Sequence, residues 1–200
     1  MIEFKNVFLK SVAEYYSLYD FSIKINSNIC LIGEQVYTSS IARILSKIEK
    51  HYQGDVLLNN INIKLISDKN LNVAYVAKTP FLFNNKTARK NIEYSLKIRK
   101  FDKKYIENII NSLIFSLNLN FLDKKAKTLT YNEKIICSLL RAIIWKPKYL
   151  ILENLMENLD IDHCKLVDKI LNFAKQNSTI IALENQLKYS KFYNFEVKEI

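Results

Sequence analysis

The chain has 200 residues, of which 49% are hydrophobic and 25% charged, and its formal net charge is +10. This is the composition of a globular chain rather than a disordered one, and the length suits one domain with a substantial core. No apolar run approaches the roughly 20 residues that cross a bilayer. The positive charge would suit nucleic acid or an anionic membrane surface, but no recognition motif accompanies it, so no nucleic-acid partner is expected.

The numbers of cysteines and glycines limit which disulfides, metal sites and phosphate-binding loops the chain can form. Cys30, Cys137 and Cys164 show no paired spacing, and their odd number argues against a disulfide framework. Two of them lie in apolar segments, which predicts small buried thiols, and no metal site is expected. Gly33 and Gly54 are the only glycines. A loop that wraps phosphate with backbone N–H groups needs residues without a Cβ, so the chain cannot build several such loops.

The first part of the chain has the patterns of strands around one helix. Apolar and polar side chains alternate, as in half-buried strands, over 2–9 and 18–25 and, together with a turn, within 54–63. The stretch 71–77 predicts a further strand. The stretch "NICLIG" is continuously apolar and predicts a buried strand that ends at Gly33. After a short loop, residues 38–40 open a predicted helix, in which apolar residues recur at helical spacing from Ile41 to Ile48.

The rest of the chain alternates helices with buried strands. Helices are predicted over three stretches: 86–122, 132–145 and 165–176. Buried strands are predicted over two: 148–154 and 178–185. Such alternation favours a mostly parallel sheet, and the early alternating strands favour an antiparallel lobe packed beside it.

The stretch "GEQVYTSS", residues 33–40, looks like a phosphate-binding loop that lacks its working residues. Such a loop is glycine, four residues, glycine, lysine, and then serine or threonine. Here Thr38 and Ser39 stand at the second glycine and the lysine, so only Gly33 and Ser40 fit. One interpretation is that the three hydroxyl residues cap the following helix. The other is that the helix N-terminus still attracts an anion.

Several segments, in order and at suitable spacing, resemble the nucleotide-binding domain of an ATP-binding-cassette (ABC) transporter over nearly the whole chain. "YVAKTPFLFNNKTARKNIEYSL" resembles the glutamine-loop region of exporter-type members, and "LLRAIIWKPKYLILEN" the helix after the signature motif and the Walker B strand. "NLD", residues 158–160, matches the D-loop. The resemblance implies an α/β, P-loop NTPase-like fold in which a mostly parallel sheet, an antiparallel β lobe and a helical subdomain at about 84–140 form a single domain over 1–200.

The sequence departs from the family pattern at the positions that, in the family, contact the phosphates, the magnesium ion and the attacking water. Ser39 replaces the lysine that would neutralise the β- and γ-phosphates, while Ser40 could still reach Mg²⁺. Glu153 and Asn154 replace the Asp-Glu pair at the end of the Walker B strand, and an asparagine cannot accept a proton from water. Glu184 stands at the switch-histidine position and puts an anion there.

The signature motif LSGGQ is also altered. Tyr131 puts a ring where a glycine would let backbone N–H groups approach the partner's γ-phosphate, and Glu133 adds a carboxylate beside it. The aligned residues are Leu129, Thr130, Tyr131, Asn132 and Glu133. Packing of Tyr131 at the start of a helix is the alternative interpretation.

The resemblance therefore implies vestigial nucleotide and magnesium positions and no catalytic residue. Lys78 occupies the glutamine-loop position, and the adenine-stacking tyrosine has no clear counterpart because Tyr15 and Tyr16 are offset. The vestigial positions are Gly33, Thr38, Ser39, Ser40, Lys78 and Glu153. No ATP hydrolysis is expected, and binding of ATP and Mg²⁺ is expected to be absent or weak.

One stretch fits the family more closely than any chemical motif. In the family, the region of "TPFLFNNKTARKNI" lies beside the groove that receives a coupling helix of the membrane subunit. The implied docking residues are Pro80, Phe81, Leu82 and Phe83. The alternative interpretation is that the three apolar side chains form a core under a loop.

Taken together, these features predict a catalytically inactive ABC-ATPase-like subunit that scaffolds or regulates a membrane transporter or a related assembly. Its partners would be a permease subunit, another ABC ATPase subunit in a heteromer, or both. It would be cytoplasmic and peripheral at the inner face of a membrane. Two alternatives stay open: a residual ATP-binding subunit that hydrolyses slowly or only with an active partner, and a structural component of a soluble, non-transport assembly.

Overall fold

The computed structural model describes residues 1–10 and 16–200, with Tyr16 described by its backbone alone. Among these residues the strands are β1 Ile2–Lys10, β2 Tyr16–Ile25, β3 Ile29–Ile32, β4 Gln53–Leu58, β5 Ile61–Asn62, β6 Val73–Val76, β7 Tyr149–Glu153, β8 Thr179–Glu184 and β9 Glu196–Glu199. The helices longer than two turns are α1 Gln35–Leu45, α2 Ala88–Ile98, α3 Lys103–Leu117, α4 Tyr131–Ile143 and α5 Ile161–Ala174.

The strands form two sheets. An antiparallel sheet has the strand order β2-β1-β4-β5, and a five-stranded sheet has the order β6-β7-β8-β3-β9. In the second sheet β3 runs parallel to both β8 and β9, and β7 runs parallel to β8. This arrangement confirms the predicted α/β fold with a parallel sheet and an antiparallel lobe.

Gly54 is required by the antiparallel sheet. It lies in β4 at a φ of 84°, and a Cβ at this position would stand 2.2 Å from the carbonyl oxygen of Asn6 in β1. Every residue with a side chain would therefore push the two strands apart.

By its contacts the chain divides into two compact units. The first comprises residues 1–75, 148–154 and 179–200 and contains α1 and the strands, apart from the last residue of β6. Its core includes the predicted apolar stripe of α1, where Ile41, Ile44 and Leu45 are fully buried. Ile48 follows the end of the helix and is exposed, so the predicted stripe is three residues shorter than expected.

The second unit comprises residues 76–147 and 155–178 and contains α2 to α5. Most apolar side chains of α4 are buried, whereas the buried residues of α3 are Ile106 and Ile110. Cys137 is buried in this unit and Cys30 in the first, and both are free thiols, as their apolar surroundings predicted. The single-domain boundary and the limits of the helical subdomain stay predictions.

Candidate functional site

Three predicted site segments meet at the carboxyl ends of parallel strands in the first unit. β3 ends before Gly33, β7 ends at Glu153 and β8 ends at Glu184. Backbone hydrogen bonds join these ends, because Gly33 N–H donates to the carbonyl oxygen of Glu184 at 3.1 Å and Asn154 N–H donates to that of Leu183 at 2.8 Å. Ligands of open α/β sheets bind at this edge, so the sheet places the loop after Gly33 where a nucleotide would lie.

The loop after Gly33 is shorter than predicted, because α1 begins at Gln35 with Glu34 as its N-cap residue. The capping interpretation of Thr38, Ser39 and Ser40 is therefore wrong: these residues lie inside the helix. The N–H groups of Tyr37 and Thr38 both donate to the Glu34 carbonyl oxygen, at 3.0 and 3.1 Å. Two amides that a phosphate-binding loop would direct at its ligand thus belong to the helix.

The hydroxyl groups of α1 divide into two kinds. Ser40 Oγ donates to the Val36 carbonyl oxygen at 2.7 Å, and Thr38 Oγ1 donates to the Gln35 carbonyl oxygen at 3.2 Å, so both bond back to their own helix. Ser39, in contrast, reaches across to β7.

Ser39, Glu153 and Tyr75 form one hydrogen-bonded chain. Ser39 Oγ donates to Glu153 Oε1, and the Tyr75 hydroxyl donates to Glu153 Oε2. Burial, and then the hydrogen bond to Glu153, raise the pKa of Tyr75, so the phenol stays a protonated donor. Both oxygens of the buried carboxylate are therefore paired within the protein. We call these three residues the Ser39–Glu153–Tyr75 chain.

Asn154 turns its side chain toward the next strand end. Its backbone has a φ of 44°, in the left-handed region that asparagine tolerates, and its Oδ1 accepts a hydrogen bond from Asn185 N–H at 2.9 Å. The side chain is fully buried, and its Nδ2 has no hydrogen-bond partner among the described residues. The general-base position thus holds a buried amide.

Glu184, at the switch position, faces the interior of the first unit. The Tyr193 hydroxyl donates to Glu184 Oε1 at 2.5 Å, and both side chains are buried. Burial, together with the nearby Glu184 carboxyl, raises the pKa of the Cys30 thiol to about 12, which keeps that thiol protonated.

Sequence reasoning missed Tyr75 and Tyr193 as members of the site. For Tyr75 a signal existed: Ala74 and Val76 are the buried residues of β6, so strand alternation places Tyr75 on the opposite face. For Tyr193 no comparable signal exists, because it follows a short 3₁₀ segment after β8. Tyr15, considered for adenine stacking, lies outside the described residues, as does the side chain of Tyr16.

In the second unit, the altered signature segment forms a helix cap. Thr130 is the N-cap residue of α4: its Oγ1 accepts from Glu133 N–H, and Glu133 Oε2 accepts from Thr130 N–H at 2.8 Å. This reciprocal pair is a capping box. Glu133 Oε1 also accepts from Lys124 Nζ at 2.8 Å. Burial opposes ionisation of Glu133, but these hydrogen bonds outweigh it and lower the pKa of its carboxyl. The charge expected beside a phosphate is thus balanced within the unit.

Two other residues of the signature segment, Tyr131 and Asn132, also make hydrogen bonds within the second unit. The half-exposed Tyr131 donates its hydroxyl to the Lys78 carbonyl oxygen at 3.2 Å, and Lys78 Nζ pairs with Glu157 at 2.8 Å. Asn132 Nδ2 donates to the Asp160 carboxylate at 2.5 Å. This links the signature segment to the D-loop segment of the same unit.

The predicted docking segment is held in place with both of its phenylalanine rings exposed. Leu82 is buried, whereas the side chains of Phe81 and Phe83 are 81% and 36% exposed, so the interpretation of all three apolar residues as a core is wrong for both phenylalanines. Buried Asn91 accepts from Phe83 N–H at 2.7 Å and donates to its carbonyl oxygen at 3.2 Å. Arg141 donates to the Phe81 carbonyl oxygen at 2.7 Å. Pro80 is partly buried beside them.

A sequence model of the family described as ABC transporter matches residues 19–156, more than half of the chain. The chain belongs to the ABC transporter family. The match extends from β2 to just past the end of β7, and so includes the altered phosphate loop, the docking segment and the signature segment of this family member. No described helix is long and apolar enough to cross a membrane, and the described residues contain no cluster of metal-ligating side chains.

Two curated relatives illustrate the range of the family. The molybdate/tungstate import ATP-binding protein WtpC of Methanocaldococcus jannaschii is 30% identical over 175 residues, which cover 84% of this chain and 57% of WtpC. The ATP-dependent lipid A-core flippase of Wigglesworthia glossinidia brevipalpis is 27% identical over 205 residues, which cover 95% of this chain and 35% of the flippase. The chain thus spans less than two thirds of either relative, and its exporter-like character stays a prediction.

Solved structures of ABC cassettes share the fold. A dimeric ATP-binding cassette in a post-hydrolysis state, bound to ADP and Pi, superposes with a TM-score of 0.82 at 17% identity, covering 96% of this chain and 91% of the cassette. A bacterial Atm1-family ABC exporter with ATP bound gives a TM-score of 0.82 at 18% identity, covering 100% of this chain and 36% of the exporter. The ABC ATPase fold is therefore present, and the chemistry of the site depends on the residues described above.

Two serines of α1 provide a matched test of the Ser39–Glu153–Tyr75 chain. Ser39→Ala should lower the free energy of unfolding by about 1–3 kcal/mol, because one oxygen of a buried carboxylate loses its donor. Ser40→Ala changes helix propensity equally but removes only a bond to its own helix, so its effect should stay within about 0.5 kcal/mol. Urea denaturation measures both. Equal effects of the two substitutions would contradict the described hydrogen bonding.

Proposed function

We propose that this chain is a catalytically inactive ABC-type subunit that scaffolds or regulates a membrane-transport assembly through protein contacts. The observation that carries the proposal is the Ser39–Glu153–Tyr75 chain, in which side chains at the Walker A lysine and Walker B aspartate positions are bonded to each other. Polar side chains that are hydrogen-bonded to each other are not available to bind a polyphosphate.

The residues do not fit Mg-ATP in three respects. No lysine stands at position 39 to neutralise the β- and γ-phosphates. The N–H groups of Tyr37 and Thr38 serve the helix instead of a ligand. Both oxygens of Glu153 accept hydrogen bonds from protein hydroxyls, so a metal would have to displace them. Each missing contact is worth about 1–3 kcal/mol, and about 1.4 kcal/mol is a tenfold change in affinity.

Hydrolysis would also lack the groups that act on water. Asn154 is a neutral amide and cannot accept a proton. Glu184 is turned inward to Tyr193 and does not supply a switch histidine's N–H. These features support the absence of ATPase activity independently of whether a nucleotide binds.

The docking segment supports the scaffold role. Phe81 is an exposed aromatic ring on a backbone that Arg141 and Asn91 fix, and Leu82 anchors the segment in the core. Aromatic anchors on prearranged backbone dominate many protein interfaces. The partner we propose is a permease subunit, another ABC ATPase subunit, or both, at the cytoplasmic face of a membrane.

A second candidate is a residual ATP-binding subunit. The observation that favours it is the buried Nδ2 of Asn154, a donor without a partner among the described residues, which an oxygen of a ligand or a water could satisfy. This candidate requires α1 and Glu153 to rearrange when Mg-ATP arrives.

Titration calorimetry with Mg-ATP near physiological salt separates the two candidates. For the folded chain we expect no saturable heat up to millimolar ATP, because no lysine stands at position 39 and the N–H groups of Tyr37 and Thr38 are bonded within α1. Ser40→Ala is the matched variant, since Ser40 is the remaining residue that could contact Mg²⁺. Saturable binding that Ser40→Ala abolishes would establish a nucleotide sensor and overturn the inactive-site proposal.

A photo-crosslinking amino acid at position 81 tests the scaffold role in cells. We expect position 81 to crosslink to an integral membrane protein, because Phe81 is the exposed anchor of the docking segment. Position 115 is the control, since Phe115 is 91% exposed in the same unit but lies outside that segment. Crosslinks from position 81 to soluble proteins alone would favour the alternative of a soluble, non-transport assembly.

A further inference from the structure

The turn between α2 and α3 presents apolar side chains to solvent. We call residues 97–105 the basic–apolar corner. Within it, the side chains of Ile98, Phe101 and Tyr105 are 56%, 38% and 37% exposed, and the rings of Phe101 and Tyr105 stack at 5.0 Å. Single exposed apolar residues are ordinary, but three within eight residues of one turn form a local patch.

The backbone of the corner is fixed. Lys100 has a φ of 61°, Lys100 N–H donates to the Lys97 carbonyl oxygen at 3.0 Å, and Phe101 N–H donates to that of Leu96 at 3.2 Å. These bonds close the C-terminus of α2. Asp102 then caps α3, because its carboxylate accepts from Tyr105 N–H at 2.8 Å. The patch is therefore a rigid feature of the second unit.

Positive charge surrounds the apolar side chains. Lys100 and Lys104 make no ion pair among the described residues, whereas Lys97 pairs with Glu93 at 2.6 Å and exposed Lys103 pairs with Glu107 at 3.8 Å. The only acidic side chain of the corner, Asp102, is used as the helix cap. Neither Lys100 nor Lys104 is therefore engaged with a carboxylate of the described residues.

Arg99 is exposed, but its guanidinium is engaged within the second unit. Its guanidinium lies 3.5 Å from the centre of the Trp145 ring and donates to the Ser95 carbonyl oxygen at 3.1 Å. Burial lowers the pKa of Arg99. The free cations of the corner are therefore lysines, each on a long apolar stem beside an aliphatic or aromatic side chain.

We propose that the basic–apolar corner binds the surface of an anionic lipid membrane. Lysines pair with lipid phosphates while Ile98, Phe101 and Tyr105 enter the boundary between headgroups and acyl chains. The exposed side chain of Ile98 favours lipid over nucleic acid as the ligand. Burial of an aliphatic side chain in lipid is favourable, whereas contact with a phosphate backbone brings it no gain in free energy. The inference deepens the peripheral location in the proposed function, and it requires neither nucleotide nor permease.

Flotation with vesicles tests the proposal on the full chain. Vesicles of equal parts phosphatidylglycerol and phosphatidylcholine should bind the protein at about 0.15 M salt, and pure phosphatidylcholine vesicles should not. Lys100→Gln with Lys104→Gln should weaken binding about 25-fold, since each lysine near an anionic surface contributes about fivefold. Ile98→Ser with Phe101→Ser should weaken it by about tenfold or more.

Two matched controls distinguish a local site from general attraction. Lys125→Gln with Lys127→Gln removes the same charge from another exposed basic cluster, and Phe115→Ser removes an exposed ring from α3; both should leave vesicle binding unchanged. Circular dichroism confirms that each variant folds. Equal losses in the two lysine pairs, or no binding to anionic vesicles by the unaltered chain, would overturn the proposal.

Binding to RNA, and failure of the proposed function, can each be distinguished from lipid binding. Binding to single-stranded RNA with the same dependence on Lys100 and Lys104, without vesicle binding, would assign the corner to nucleic acid and overturn the lipid proposal. Failure of the proposed function would appear separately, in the calorimetry and in the crosslinks from position 81. Phe81→Asp should leave vesicle binding unchanged, because Phe81 lies outside the corner.

Discussion

The parallel pairing of β3, β7 and β8 brings the parts of the site together. It sets Gly33, Glu153 and Glu184 at one edge of the sheet, where backbone hydrogen bonds lock the strand ends. The strand ends therefore lie together as in other members of the fold, whatever side chains they carry. The ABC cassette fold is kept, with TM-scores of 0.82 at below 20% identity, although the side chains at this edge depart from the family pattern.

The substitutions at this edge are physically coupled. A buried carboxylate is costly unless hydrogen bonds or a counter-charge satisfy it. Here two hydroxyl groups, from Ser39 and Tyr75, donate hydrogen bonds to Glu153. Glu184 follows the same rule, with Tyr193 as its donor. The Glu153 carboxylate is thus satisfied by protein hydroxyls in the absence of a ligand, whereas the buried Nδ2 of Asn154 has no partner among the described residues.

Helices and strands, and the positions that match the motifs of the family, could be predicted from the sequence. Strand alternation and helical stripes located both sheets and α4, and the resemblance placed Ser39, Glu153 and Glu184 at one site. The start of α1 escaped prediction, although its cause is visible afterwards. With Thr38 in place of a second glycine, no residue favours the left-handed turn of a phosphate loop, and the helix extends back to Gln35.

Contacts between residues that are far apart in the chain could not be predicted from the sequence. Tyr75 and Tyr193 meet their carboxylates only through tertiary packing, which no local pattern encodes. The same holds for Phe81 and Leu82, adjacent residues of similar hydrophobicity that the fold treats oppositely. Likewise, the balancing of Glu133 by Lys124 depends on the geometry of the capping box at α4.

A crystal structure of the chain with Mg²⁺ and a non-hydrolysable ATP analogue at millimolar concentration tests the inactive-site proposal most directly. We expect that Ser39 and Tyr75 still donate to Glu153, that α1 still begins at Gln35, and that no nucleotide lies at the edge of the sheet. A triphosphate over Gly33, with Glu153 turned to the metal and the first turn of α1 opened, would contradict it.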